Sequence, residues 1–381
     1  VLKKLIIVSS IAIASIANAD ITVGQSVPTT GLSADTGKAL ALGASIYFGR
    51  LNARGGINGE NINLVVKDDA YDPNRTVQNA KDLIEKDNAL ALISFYGTGS
   101  VGELIKSKVL ENSRTALVGV HSGAESLRNP VNPYVFHTRA SYAQETEKII
   151  KLLTGNLGVT KVAVLAQKDA YGEAGMAGVK AALDKRQLKV LQEVWYDKNK
   201  PDTAQAAAEL AKLNPEAIIL VAVSKPAASF IKQFKEKGGT SQIYGLSPIQ
   251  FEEVGRAIGN KTAHGLGISQ TFPYPYNTQV RFIREFQTDA EMVLRNNPAA
   301  EYKSSDYPSY ALLEGYLAAR VVAEAIKRAG KAPTREGVLN ALNNMGRLDL
   351  GGFAIDFSDK KHVGSSFVEL TMMSPTGALT R

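Results

Sequence analysis

Short apolar runs alternate with longer amphipathic stretches along almost the whole chain, the βαβ pattern of a parallel sheet. A strand is predicted over 21–27 and a helix over 36–54, which stops at Gly55-Gly56. Strand 62–67, helix 73–86, strand 89–96, helix 100–112 and strand 115–120 follow. After Pro133-Tyr134 a second series begins: helix 143–153, strand 161–166, helix 172–185, strand 188–195, helix 203–213, strand 217–223, helix 226–237 and strand 242–246. The remainder holds a strand at 265–269, helices at 278–295, 309–329 and 334–343, and strands at 352–357 and 366–372. So mixed a tail is better used to complete two existing cores than to build a third. The pattern therefore predicts an α/β chain of two lobes joined by several crossover strands, with relative motion restricted to hinge bending.

Two of the apolar runs end abruptly in small polar residues. One stops at Tyr96 and turns through Gly97, Thr98, Gly99 and Ser100 into a helix; the next stops at Val120 and turns through His121, Ser122 and Gly123. Open parallel sheets bind ligands outside the carboxyl ends of their strands. Glycine there permits close approach, and a helix start offers free N–H groups to an anion. The N–H groups of Gly99 and Ser100 with the Thr98 hydroxyl are suited to a carboxylate. In the second series Tyr171 opens a helix after a strand end, and Tyr142 lies just past the crossover between lobes. Ser224, Ser247 and Gln250 end later strands in the same way, as does Gln270. Aromatic walls with a few polar groups are what a cleft hiding a small ligand from water needs.

Other chemistries fit less well. Gly97, Gly99 and Gly102 spell a dinucleotide fingerprint, but the following strand ends in His121-Ser122 instead of the acid that would hold a ribose hydroxyl. Asp68, Asp69 and Asp72 are too few for a calcium loop, and Asp72 before Pro73 reads as a helix cap. The four histidines, His121, His137, His264 and His362, lie at no metal-ligand spacing. No nucleophile elbow is present. No catalytic residue, cofactor or metal is therefore expected, and the chain does not read as an enzyme.

Lys3 and Lys4, the apolar run 5–16 and Ala17-Asn18-Ala19 have the order of a secretory signal, predicted to be removed after Ala19. The run is short of the roughly 18 uninterrupted apolar residues of a spanning helix. The sequence contains no cysteine, which removes disulfides, thiol nucleophiles and a lipid-bearing cysteine anchor. A freely soluble periplasmic location is expected. The net charge of +7 is scattered among acidic residues, so no nucleic-acid stripe forms.

Four stretches together resemble the periplasmic binding proteins of branched-chain amino acid ABC importers, the type I family that includes the leucine/isoleucine/valine-binding protein. They are LNARGGINGENINLVVKDDAYDP at 51–73, YGTGS at 96–100, PYVFHTRAS at 133–141 and DAYGE at 169–173. The resemblance implies two Rossmann-like lobes with parallel-sheet cores, one from 20–140 plus 268–347 and the other from 141–267 plus 348–381. It implies a monomer that captures a small carboxylate-bearing ligand, an amino acid or an organic or aromatic acid, and delivers it to an ABC-type membrane permease. A ligand-sensing adaptor docking to a signalling receptor would use the same cleft. By the same resemblance Thr98 and the groups from His121 to Gly123 take the ligand carboxylate, and Tyr171 closes from the other lobe. One departure stands out: amino-acid-binding members carry an acid for the ligand ammonium in the turn matching 245–250, which here reads G-L-S-P-I-Q. Either Asp169 or another acid substitutes, or the ligand lacks an ammonium.

Overall fold

The computed structural model describes residues 20–295 and 308–381; the expected leader over 1–19 lies outside the described residues. Strands β1 (Ile21–Val27), β2 (Ile62–Asp68), β3 (Ala91–Ile93), β4 (Leu117–Val118) and β5 (Val135–Phe136) form a parallel sheet in the order β2-β1-β3-β4-β5. Strands β6 (Val162–Gln167), β7 (Gln192–Tyr196), β8 (Ala217–Val221), β9 (Gln242–Gly245) and β10 (Leu266–Gln270) begin a second sheet. A hairpin of β11 (Gly346–Asp349) and β12 (Ala354–Phe357) follows. Then β13 (Glu369–Met373) and β14 (Leu379–Thr380) close the second sheet in the order β14-β13-β10-β9-β8-β6-β7, antiparallel only at the β13 and β14 edge. The apolar runs of β3, β6 and β8 are buried along their full length, because helices cover both faces of a parallel sheet. This is the two-lobed α/β architecture that the alternating pattern predicts.

The chain passes between the sheets after Phe136, after Gln270 and after Phe357. Two of these passages are stitched together: the His137 N–H donates to the His362 carbonyl at 2.7 Å, and the Gly364 N–H donates to the His137 carbonyl at 2.8 Å. The helices Arg281–Arg295 and Tyr310–Arg328 return to the first lobe and pack on helix Ala34–Asn52.

Local chemistry sets several boundaries that hydrophobic pattern alone does not. Ser94 has a φ of 53°, so β3 stops at Ile93 and Tyr96 pairs again only as an isolated bridge to His121. The predicted helix 100–112 starts instead at Thr98, breaks at Lys108 with its φ of 57°, and resumes over Val109–Ser113. Strands β5, β11 and β14 carry too few residues to show a period, and the helix Phe251–Ile258 follows a turn that the sequence pattern reads as a strand end.

Helices Ala34–Asn52 and Tyr310–Arg328 cross so closely that a Cβ on Gly43 would lie 1.9 Å from the Leu312 carbonyl oxygen, and one on Gly315 2.0 Å from that of Leu40. Alanine gains about 1 kcal/mol of helix propensity over glycine. Overpacking against rigid backbone costs about 1–3 kcal/mol, so the clash wins. Gly315→Ala is expected to lower the urea midpoint of unfolding; an unchanged midpoint would mean that the helices separate freely.

Candidate functional site

On the first lobe the turns after β3 and β4 lie side by side. Helix Thr98–Lys106 has Gly97 as its N-cap and no side-chain cap bond, which leaves its first N–H groups free for an acceptor. The Ser100 hydroxyl beside them is buried without a hydrogen-bond partner. Thr98 Oγ1 lies 2.8 Å from Ser122 Oγ, joining the two turns. Tyr96 stacks on His121 with ring centroids 4.9 Å apart. Gly97 has a φ of 94°, and a Cβ there would lie 2.5 Å from the Tyr71 ring. Gly123 is required by close approach, since its Cβ would lie 2.7 Å from the Tyr142 backbone nitrogen. Gly99 is half-buried, while Tyr96, Thr98, Ser100, His121, Ser122 and Gly123 are buried.

On the second lobe Tyr171 packs on Tyr142 at 5.2 Å between centroids, and its hydroxyl donates to the Ala222 carbonyl. Ser224 Oγ accepts the Gln250 N–H, and Gln250 Nε2 donates to the Ser247 carbonyl, leaving Gln250 Oε1 buried and unpartnered. Gln270 instead donates to Thr371 of β13. Asp169 is committed as a helix cap: its Oδ1 accepts the N–H groups of Tyr171 and Gly172, and its Oδ2 accepts Gln167 Nε2.

Residues the sequence did not single out bridge the two halves. Tyr71, with a φ of 63°, reaches over from the first lobe; Gln167 Nε2 donates to its hydroxyl at 3.1 Å and Lys198 Nζ lies 4.3 Å from its ring centroid. The Tyr196 hydroxyl donates in turn to Gln167 Oε1. Burial pushes the Tyr71, Tyr171 and Tyr196 hydroxyls well above their ordinary value, so they stay neutral donors. Glu253, in the helix just past the G-L-S-P-I-Q turn, is 9 % exposed and accepts Thr36 Oγ1 of the first lobe at 2.8 Å. Burial raises its pKa, and hydroxyl contacts from Thr36 and Ser224 only partly offset that.

Between the lobes lies a buried charge cluster. Arg139 Nη1 is 3.3 Å from Glu314 Oε1, and Arg139 Nη2 donates to Ser247 Oγ and sits 3.8 Å from Glu145 Oε1. Glu145 also accepts the Ser247 N–H and the Ser247 and Ser269 hydroxyls. It therefore brings a carboxylate to the turn that lacks an acid of its own, but spends it on Arg139 and on hydroxyls. Burial alone would lower the Arg139 pKa, yet Glu314 and Glu145 hold it above its ordinary value. Burial likewise opposes ionisation of Glu314, but Arg139 and His121 hold it below the usual carboxylate range. For Glu145 burial outweighs Arg139 and the pKa rises.

The acidic run at the end of β2 is also accounted for by local bonds. Asp72 caps helix Pro73–Glu85 through the Arg75 N–H. Asp68 accepts the N–H groups of Thr29, Thr30 and Ala70 and the Thr30 hydroxyl; these outweigh burial and bring its pKa down to about 2. Asp69 holds the Tyr71 turn through the Tyr71 N–H and accepts the Ser26 hydroxyl, but burial dominates and raises its pKa from 3.8 to about 6. A raised carboxyl pKa means that the folded state keeps the proton more tightly. That contribution is complete below pH 3.8 and is lost as pH rises through about 6, a span of about 3 kcal/mol. Asp69→Asn is expected to flatten the stability profile over this window in chemical unfolding; an unchanged slope would place the titration elsewhere.

A separate groove of about 870 Å³ opens beside the β11–β12 hairpin, lined by Gln144, Arg347, Phe353, Asp356, Lys361 and Phe367 among others. It shares no residue with the strand-end set, and its Lys361 is paired with Asp356 in the open.

Comparisons with known proteins bear on the family and the fold. The family model described as "Periplasmic binding protein" matches residues 20–377. The "Leu/Ile/Val-binding protein homolog 3" of Brucella melitensis biotype 1 is 28% identical over 356 residues, covering 90% of this chain and 88% of that protein. A solved substrate-binding periplasmic protein from Ralstonia solanacearum is 38% identical at a TM-score of 0.88, covering 94% of this chain and 99% of that one. A branched-chain amino acid ABC transporter protein from Thermus thermophilus, solved with bound valine, is similar in fold, with a TM-score of 0.84 at 20% identity over 95% of this chain and 94% of that one.

Proposed function

The chain belongs to the periplasmic binding protein family, and from that premise we propose that it captures one small α-amino acid between its lobes and hands it to an ABC-type permease. It is a binding protein of the Leu/Ile/Val-binding type, and its relatives are not enzymes. The carboxylate of the ligand would meet the uncapped helix start at Thr98, Gly99 and Ser100 with Ser122 and His121. Tyr96, Tyr142 and Tyr171 would wall its side chain, and Ser224, Ser247, Gln250 and Gly123 would shape the remainder.

The observation that carries the amino-acid reading is Glu253. A carboxyl buried with hydroxyl neighbours and a pKa raised by burial is a poor device for stability alone. It is a good acceptor for an ammonium that sheds its water on entering the cleft. It thus stands in for the acid that the G-L-S-P-I-Q turn omits, a role that Asp169 and Glu145 are too committed to fill. The bridges Tyr71 to Gln167 and Thr36 to Glu253 tie closure of the lobes to the walls of the same cleft.

A thermal-shift screen of refolded protein against L-leucine and L-phenylalanine, each beside its des-amino acid, 4-methylpentanoate and 3-phenylpropionate, tests the reading. A stabilisation by the amino acids and none by their partners is expected. Stabilisation by the des-amino acids alone would make the ligand an organic acid.

A further inference from the structure

We propose that Arg128 is the positioning residue of the carboxylate site, its guanidinium clamping the turn at Ser122 to the crossover between the lobes. The proposal rests on the cleft reading above and adds to it a side chain that works through the turn. Arg128 is 6 % exposed and follows the short helix Glu125–Leu127. That helix is itself fastened to the crossover, since His137 Nε2 donates to the Leu127 carbonyl at 3.0 Å. From there the guanidinium donates to three carbonyls on two segments. Nη1 reaches that of Arg139 at 3.0 Å, and Nη2 reaches those of Ser122 at 2.9 Å and Ala140 at 3.2 Å. A rigid planar fork with donors on separate nitrogens spans such a set, whereas an amide or an ammonium offers its protons from one nitrogen.

The tie falls where carboxylate capture needs it. Ser122 presents its Oγ to Thr98 Oγ1 and to the Ala124 N–H, so holding its carbonyl also fixes the hydroxyl that faces the uncapped helix start. The next residue closes the same seam, the Gly123 carbonyl accepting the Tyr142 N–H at 2.7 Å. On the crossover side the Arg139 side chain continues to Ser247 of the second lobe. Carboxylate turn, crossover and opposite lobe are thus linked in series through Arg128. Its charge fits the same role. The bonds of Arg128 go to carbonyls, its Nε is buried without a partner, and among the described residues it makes no ion pair. Burial pulls its pKa down to about 10 and Arg139 pushes the same way, with Glu125 and Glu145 opposing, so it remains charged at neutral pH. A buried cation with no carboxylate in contact is costly as a tie alone. An anion arriving at the Ser122 hydroxyl offsets that cost.

Displacement calorimetry with L-leucine and L-leucinamide, at about pH 6.5 where both keep the ammonium, separates positioning from a structural role. In Arg128→Met the preference for L-leucine over its amide is expected to fall at least tenfold, because only L-leucine brings an anion to the clamped turn. Arg128→Lys keeps a cation but gives up the fork, and the preference should fall there too, by less. A wild-type preference in Arg128→Met, accompanied only by a lower urea midpoint, would make Arg128 structural and overturn the proposal. If Arg128→Met does not fold, Arg128→Lys decides by the same ratio. If L-leucine does not bind the wild-type protein, the cleft reading fails, and hydrogen exchange decides the clamp. In Arg128→Lys the Tyr142 amide should then exchange at least tenfold faster, while the Gly119 amide, which donates to the Phe136 carbonyl at 2.8 Å, keeps its rate. An equal change at both amides, or none at Tyr142, would overturn the proposal.

Discussion

Replacing Glu253 with glutamine is expected to weaken capture of an α-amino acid by about a hundredfold or more. The glutamine keeps the size and the hydrogen bond to Thr36 but leaves a desolvated ammonium without its counter-charge. Removing one partner of a buried pair costs about 3–5 kcal/mol, and each 1.4 kcal/mol is about a decade of affinity. The effect is selective: the des-amino analogue should bind the variant at least as well as the wild type, because it brings no ammonium. Stability without ligand should move the other way. Burial raises the Glu253 pKa, so its stabilising protonated form is lost as pH rises through the folded value, and a side chain that cannot ionise escapes that loss. Titration calorimetry with both ligands checks the pair of outcomes. Equal losses for the amino acid and its analogue would remove Glu253 from ammonium recognition.

Arg139→Met carries the largest expected effect on the fold. Arg139 is among the largest fully buried side chains, and it faces both Glu145 and Glu314, at 3.8 and 3.3 Å. Methionine matches its apolar stem but removes the guanidinium that two buried carboxylates face, at a cost of about 3–5 kcal/mol. The urea midpoint should fall with little change in slope. Adding Glu314→Gln to Arg139→Met should recover part of the loss, because residues in one network are not additive. If the double variant is less stable than Arg139→Met by the full cost of Glu314→Gln alone, the cluster does not act as a unit.

The lobes were legible in the sequence because parallel strands buried on both faces leave long apolar runs, as at β6 and β8. The strand-end turns were legible for a similar reason: small polar residues after such a run have few uses in a core. What bridges the lobes was not. Glu314 sits in a helix that reads as an ordinary buried one, and only an acid amid YALLEGYLAA hints at a partner far away in sequence. Glu145 and Glu253 each fall in the first turn of a helix, where an acid is commonplace. Tyr71 lies inside the DDAYDP run, where Asp72 before Pro73 signals a helix cap; its role across the cleft depends on a left-handed turn that no periodicity reports. Asp169, one candidate for the substitute acid, lies two residues before Tyr171, yet one of its oxygens caps its own helix and the other accepts Gln167 Nε2. Strand ends are local and can be read from order along the chain, whereas a charge that balances another across two lobes is a property of the folded pair.

The central claim, capture of one unaltered small amino acid between the lobes, is tested most directly by native mass spectrometry of the protein as purified from its own cells, followed by release and identification of whatever it carries. The account predicts a single added mass belonging to an amino acid with free amino and carboxyl groups, released unchanged on unfolding. A ligand lacking either group, or one altered by its stay in the cleft, would contradict it.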